Sequence, residues 1–281
     1  MLQVVTGSGS RVGSALARHH DVATLTFTGS TEVGKKLLGY AGESNAKPVW
    51  LELGGKSPNI VFPDAPDLDQ AAATAAWAIS FNSGQMCTAA SRLVVHEDIR
   101  EAFVAKVVAH LDAHVIGDPL DPATTMGPLA YAAHRDEVLD EVRKGIADGA
   151  ALVTGSDQAR GDGLYVEPVV FVDVDQDSRL AQHEIFGPVL SVLTFATEAE
   201  AIAIANNSDF GLGSAIWTGD LSRAHRLSRQ LQAGLVWVNC YEEGDTSVPF
   251  GGQKLSGHGA DRGVHGLEKY TALKTTWIDL S

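Results

Sequence analysis

Ala23-Thr24-Leu25-Thr26-Phe27-Thr28-Gly29-Ser30-Thr31-Glu32-Val33-Gly34 changes its period partway along. A short β-rich run stops at Gly29-Ser30, and residues 31–40 read as the helix that follows. Pro48 to Leu53 reads as the next strand, broken by Gly54-Gly55. Strand, helix and strand in that order predict an α/β fold, and the same unit recurs downstream. An Ala-rich helix after Asp67 is expected to reach about Ile79. Arg92 to His96 should be a strand followed by a helix over 99–114, Val189 to Phe195 a strand followed by one over 198–206, and Ser214 to Trp217 a strand followed by one over 222–231. Asp118-Pro119-Leu120-Asp121-Pro122 reads as a linker, and residues 273–278 as a strand whose free edge another subunit would cover.

The 281 residues carry a formal charge of −14, which opposes binding to nucleic acid and mildly attracts cationic small molecules. No apolar run of about 18 residues occurs, and Met1 to Thr6 lacks a basic region followed by an apolar core. Neither a membrane span nor a signal peptide is therefore expected, and a cytoplasmic location is. Two distant cysteines, Cys87 and Cys240, are too few for a disulfide framework or a Cys-based zinc site. His110 and His114 share a helical face but have no acidic third ligand in the required pattern, so no metal site is expected.

Two segments carry the chemistry: Leu51-Glu52-Leu53-Gly54-Gly55-Lys56 and Phe81-Asn82-Ser83-Gly84-Gln85-Met86-Cys87. Cys87 has two readings, a buried structural thiol or an accessible nucleophile. Its polar and small neighbours Asn82, Ser83, Gly84, Gln85 and Thr88 belong at a lined cavity and favour the second. Cys240 lacks that context and reads as structural. Glu52 is either paired with a cation such as Lys56 or held half-buried on its strand as a base of raised pKa. Gly7-Ser8-Gly9-Ser10-Arg11-Val12-Gly13 is one residue longer than the dinucleotide fingerprint and reads as a strand-to-helix turn. Gly29 to Lys35 begins like a P-loop, but Lys36 stands where a Ser or Thr is required, so nucleoside triphosphate chemistry is not expected. Gly29 and Ser30 still open a helix directly after a strand, either as an ordinary cap or as a phosphate site. Gly251 to Gly257 reads as a flexible turn.

Phe27-Thr28-Gly29-Ser30-Thr31-Glu32-Val33-Gly34, Leu51-Glu52-Leu53-Gly54-Gly55-Lys56-Ser57-Pro58, Gly84-Gln85-Met86-Cys87-Thr88 and Glu184-Ile185-Phe186-Gly187-Pro188 together resemble the NAD(P)-dependent aldehyde dehydrogenase superfamily. Pro249-Phe250-Gly251-Gly252 and Leu267-Glu268-Lys269-Tyr270 match as well, so the resemblance covers essentially the whole chain. It implies a partial Rossmann-type nucleotide-binding portion over 1–53, a complete α/β catalytic domain over 54–255, and a return segment with an oligomerisation strand over 256–281. It implies Cys87 as the nucleophile that forms a thiohemiacetal and then a thioester, and Glu52 as the base for hydrolysis. The Cys87 backbone N–H would hold part of the oxyanion. NAD or NADP would be held with its pyrophosphate on Gly29 and Ser30, its adenine against Val33, its nicotinamide ribose on Glu184 and its ring against Phe186. Gly34 and Leu53 are further cofactor contacts by the same resemblance, and a homodimer or homotetramer is the implied assembly.

Members of this superfamily are usually nearly twice as long, and the resemblance begins partway through their nucleotide-binding domain. A truncated form is expected on that ground, without the asparagine that completes the oxyanion hole, the lysine on the adenosine ribose, and the residue that separates NAD from NADP. Gln253 stands where an aromatic is common, and Ala260 where Arg often precedes the acidic residue, here Asp261. Glu242 to Phe250 resembles the loop of members acting on aminoaldehydes of polyamine breakdown, and it reads equally as a solvated acidic loop. Two other classes stay open: an inactive fragment acting through protein association, and a thiol esterase using Cys87 without a cofactor.

Overall fold

Ser14–Arg18 (α1), Leu25–Thr28 (β1), Thr31–Gly42 (α2) and Val49–Glu52 (β2) form the first unit of the computed structural model, which describes all 281 residues. The chain continues through Pro58–Val61 (β3), Leu68–Ser80 (α3), Arg92–His96 (β4), Arg100–Asp112 (α4), Ala132–Ala147 (α5), Ala151–Thr154 (β5), Val169–Val172 (β6) and Arg179–Gln182 (α6). Val189–Phe195 (β7), Glu198–Asn206 (α7), Phe210–Gly211 (β8), Gly213–Trp217 (β9), Leu221–Gln230 (α8), Leu235–Val238 (β10), Gln253–Lys254 (β11) and Gly257–His258 (β12) complete it. The strand and helix expectations hold to within about two residues at each end. Local signals explain why: Asp67 accepts hydrogen bonds from Asp69 N and Gln70 N to start α3, and a Thr197/Glu200 capping box starts α7.

A seven-stranded sheet in the order β10-β9-β3-β4-β7-β6-β5 carries most of the molecule. All its neighbours run parallel except the edge strand β5. Apolar residues of α3 and α4, among them Ala75, Ile79, Phe103 and Val107, cover one side together with Val61, Leu93, Val95 and Val192. A separate cluster joins Ala201, Ala205 and Leu227 of α7 and α8 to Ile60, Val94, Leu193 and Ile216. Alternate residues of β3 and β4 thus face opposite helix layers, the arrangement that a parallel sheet requires. A smaller sheet in the order β1-β2-β12 pairs β1 and β2 in parallel, and β12 returns antiparallel to β2. Its own core is Ala17, Leu37, Ala41, Val49, Leu51 and Leu53. The outer edge of β1 has no partner strand, and Leu25 and Phe27 are only partly buried.

One expectation is corrected, that of a strand before residues 7–13. Gly9–Gly13 is a π-helical turn running into α1, but residues 1–6 before it have no regular structure, so no strand feeds the turn. Residues 273–278 pair with no strand of this chain and leave Leu273, Trp277 and Ile278 exposed, the surface that the expected ladder with another subunit would cover. Residues 118–122 lie in a turn, as their proline content predicts. The turn connects α4 and α5 and is closed by the carboxylates of Asp118 and Asp121 on Leu120 N and Ala123 N, and strands on both sides of it in sequence share the large sheet.

Candidate active site

The carboxyl ends of β1 and β2 point into the same space as the segments that lead into β3, β4 and β7. Each conducts one group to a single cavity of about 710 Å³. Gly29 and Ser30 follow β1, Glu52 ends β2, and Leu53 and Gly54 lead to β3. Cys87 precedes β4, and Glu184, Ile185 and Phe186 precede β7; all of these line the cavity. Cys87 and Glu52 therefore line one cavity, although they lie on different segments. Val33 and Gly34 do not line it. Val33 is partly exposed in the first turn of α2, and Gly34 is buried where a Cβ would come within 2.9 Å of Leu53.

Glu52 is 5 % exposed, and neither carboxylate oxygen has a hydrogen-bond partner. Its backbone is held on both sides, by Thr28 in β1 and Gly257 in β12. Burial pushes its pKa up to about 7, the charge of Asp261 adds to this, and Lys269 opposes it. The ion-pair alternative fails, since the Lys56 ammonium is also buried without a hydrogen-bond partner. Burial and the neighbouring Arg92 lower Lys56 to about 7.

Cys87 is half-buried. Burial, then the carboxylates of Glu184, Glu52 and Glu242, raise its thiol to about 11, so at neutral pH the resting group is SH and must hand its proton to a base. The loop before it is tightly built. Asn82 and Ser83 take left-handed backbone angles (φ 48° and 56°), and a Cβ on Gly84 would come within 2.3 Å of Gly187. Ser83 Oγ donates to Gly127 O at 2.7 Å, and Gln85 Oε1 accepts from Ala130 N at 2.9 Å. On the other flank, the buried Tyr241 hydroxyl donates to Thr88 O. The backbone N–H of Cys87 has no backbone acceptor and is free to face an oxyanion.

Glu184, Ser30 and Phe186 build another part of the cavity wall. Glu184 accepts from Gly55 N at 2.9 Å, and a Cβ on Gly54 would come within 1.8 Å of its carboxylate, so only glycine lets the two segments approach. Burial raises Glu184, while the Gly55 N–H and Lys56 oppose the shift. Ser30 caps α2 by accepting from Val33 N, leaving the first N–H groups of a 12-residue helix beside the cavity. Phe186 stands with φ 56°, and its carbonyl accepts from His134 Nε2 at 2.7 Å. His134, which the sequence reading passed over, is 8 % exposed and lines the cavity with Arg179 and His183. Its helix, α5, has a mixed charged surface and no motif. Tyr241 was missed because its hydrogen bond to Thr88 O links positions far apart in sequence.

Comparison with known proteins identifies the family. The profile of the aldehyde dehydrogenase family matches residues 1–276. The NADP/NAD-dependent aldehyde dehydrogenase PuuC of Escherichia coli (strain K12) is 52 % identical over 280 residues, covering 100 % of this chain and 56 % of the relative. An indole-3-acetaldehyde dehydrogenase of P. syringae, solved with NAD+ and IAA, superposes with a TM-score of 0.95 at 54 % identity, over 98 % of this chain and 56 % of the other. A γ-glutamyl-γ-aminobutyraldehyde dehydrogenase from Burkholderia cenocepacia J2315 gives a TM-score of 0.91 at 54 % identity, over 94 % and 54 %. The chain spans about half the length of the curated relatives it matches.

Proposed function

We propose, from the premise that this chain belongs to the aldehyde dehydrogenase family, that it carries the nucleophile, base and cofactor cradle for NAD(P)-dependent oxidation of an aldehyde to a carboxylic acid. The observation that carries this reading is the convergence of Cys87 and Glu52 on the cavity that Gly29, Ser30, Glu184 and Phe186 also line. Glu52 takes the thiol proton, directly or through a water, and Cys87 Sγ bonds to the carbonyl carbon. The Cys87 N–H steadies the oxyanion of the thiohemiacetal. Glu184 and Phe186 would hold the nicotinamide ribose and ring of NAD(P)+, and Gly29 and Ser30 its pyrophosphate; the cofactor would supply the hydride acceptor. Loss of hydride from the thiohemiacetal leaves a thioester on Cys87. Glu52 gives the thiol proton up to solvent and then takes one from water, the resulting hydroxide attacks the thioester carbon, and the C–S bond breaks to release the carboxylic acid while the sulfur regains a proton from Glu52.

The test is formation of NAD(P)H that depends on added aldehyde. Ester cleavage needing no nucleotide would favour the esterase reading instead. Absence of product together with co-purification of a longer homologue would favour the association reading. Residues 1–53 and 54–255 are the nucleotide-binding and catalytic portions in this proposal, with residues 256–281 as a return and assembly segment of a homodimer or homotetramer.

For the substrate we infer an aldehyde bearing a cationic tail. The acidic run Glu242-Glu243-Gly244-Asp245 supports it, and a solved relative is named for an aldehyde whose tail ends in an ammonium beside a carboxylate. Glu242 carries a buried oxygen, Oε1, without a hydrogen-bond partner, and its charge reaches Cys87. Glu242→Gln should lower kcat/KM for an aminoaldehyde by about 10-fold, the factor of one partly screened charge contact, and leave a neutral aldehyde of equal length nearly unchanged. Equal losses for both substrates would remove this specificity.

A further inference from the structure

Two charges behind Glu52 have no part in the reaction as drawn. After β12 pairs with β2, the chain turns through Gly259, and Asp261 exchanges both backbone hydrogen bonds with Phe250, at 2.7 and 2.6 Å. Gly251, next to Phe250, fills the gap between this turn and the base. A Cβ there would lie 3.3 Å from Glu52 Oε1, 2.4 Å from Gly259 O and 3.3 Å from Ala260 Cα. The carboxylate and the turn are thus one backbone thickness apart. Lys269 returns beneath the turn with its stem near Gly259, and its ammonium donates to Asp261.

The burial of this pair is lopsided. The Lys269 side chain is 4 % exposed and that of Asp261 47 %. A half-exposed aspartate needs no buried cation, whereas sinking an ammonium costs several kcal/mol unless it is well paired. Its burial keeps positive charge inside the turn that packs behind Glu52, whose two oxygens have no partner.

We propose that Lys269 is a positioning residue for Glu52: held against Asp261, its ammonium offsets the carboxylate that would otherwise oppose the negative charge of the base. This rests on Glu52 being the base. The remaining titratable groups around Glu52 are Cys87 and Glu184 at the cavity and His258 on β12; β1 contributes none, and Lys56 acts on Glu184 instead. The opposite effects of Asp261 and Lys269 on the proton affinity of Glu52 agree with the geometry.

The test is the acid limb of the pH profile of thioester hydrolysis in the intact enzyme. Asp261→Asn should move the limb to lower pH and Lys269→Met to higher pH, each by about half a unit or more. Lys269→Arg should leave it in place, and the Asp261→Asn/Lys269→Met pair should return it to within a few tenths of a unit of the parent. A packing defect would lower the amplitude without opposite displacements. Limbs that stay put, or that move the same way in both single variants, overturn the proposal. If Lys269→Met does not fold, the direction of the Asp261→Asn shift decides alone. A Glu52→Gln variant that keeps full hydrolysis would instead bring down the functional reading itself.

Discussion

Cys87→Ala is expected to abolish aldehyde-dependent reduction of NAD(P)+, lowering kcat/KM by at least about 10⁴-fold, the scale of losing a covalent nucleophile. No other thiol lines the cavity: Cys240 belongs to the fringe of the cluster around Trp237 and Tyr241. The change should cost little stability, because the residue is half-buried and its small side chain leaves only a small void. Thermal melts and nucleotide binding should therefore stay close to the parent while turnover vanishes. Absorbance of the reduced nicotinamide, read beside a melt of the same preparation, separates these outcomes. Appreciable turnover in a folded Cys87→Ala protein would end the covalent reading.

Glu52→Gln should behave differently. The amide keeps the shape but cannot take a proton, so hydrolysis should slow by about 10²- to 10⁴-fold, with product formation stalling as a thioester on Cys87 that mass spectrometry of the intact protein would detect. In the parent, hydrolysis should rise with pH through about 7 and then level, since Glu52 works only when ionised. The same burial makes the residue a stability liability. Its folded-state pKa lies above the ordinary carboxylate value, so folding favours the protonated form. That stability is fully present below the ordinary value and is lost as pH rises through about 7. Glu52→Gln should accordingly raise Tm at pH 8 and change it little at pH 4, with a gain on the order of 2 kcal/mol at the higher pH. An unchanged Tm difference across that range would show that the carboxylate is not buried as described.

The segments legible from sequence are those whose signals are local. The change of period at Gly29-Ser30 locates β1 and α2, Asp67 and Thr197 mark helix starts by capping, and continuous apolar runs locate β4 and β7. Elements that exist only through a partner were not legible. β12 is two residues long and is a strand because β2 accepts it, whereas the apolar tail at 273–278 has the composition of a strand but no ladder within this chain. α5 went unread because its buried Val138 and Val142 are scattered among charges, and His134 on it could not be singled out without Phe186 beside it.

Amino-acid order by itself determined the α/β class, the identity of the candidate thiol and carboxylate, and the glycines at 29, 54 and 84, because each depends on residue type and on neighbours a few positions away. Only the tertiary structure decided that Glu52 and Cys87 share a cavity, that Glu52 stands unpaired and raised to about 7, and that Asp261 and Lys269 come up behind it. Proton affinity depends on burial and on charges within a few ångströms, and those surroundings are assembled here from segments more than 150 residues apart in the chain.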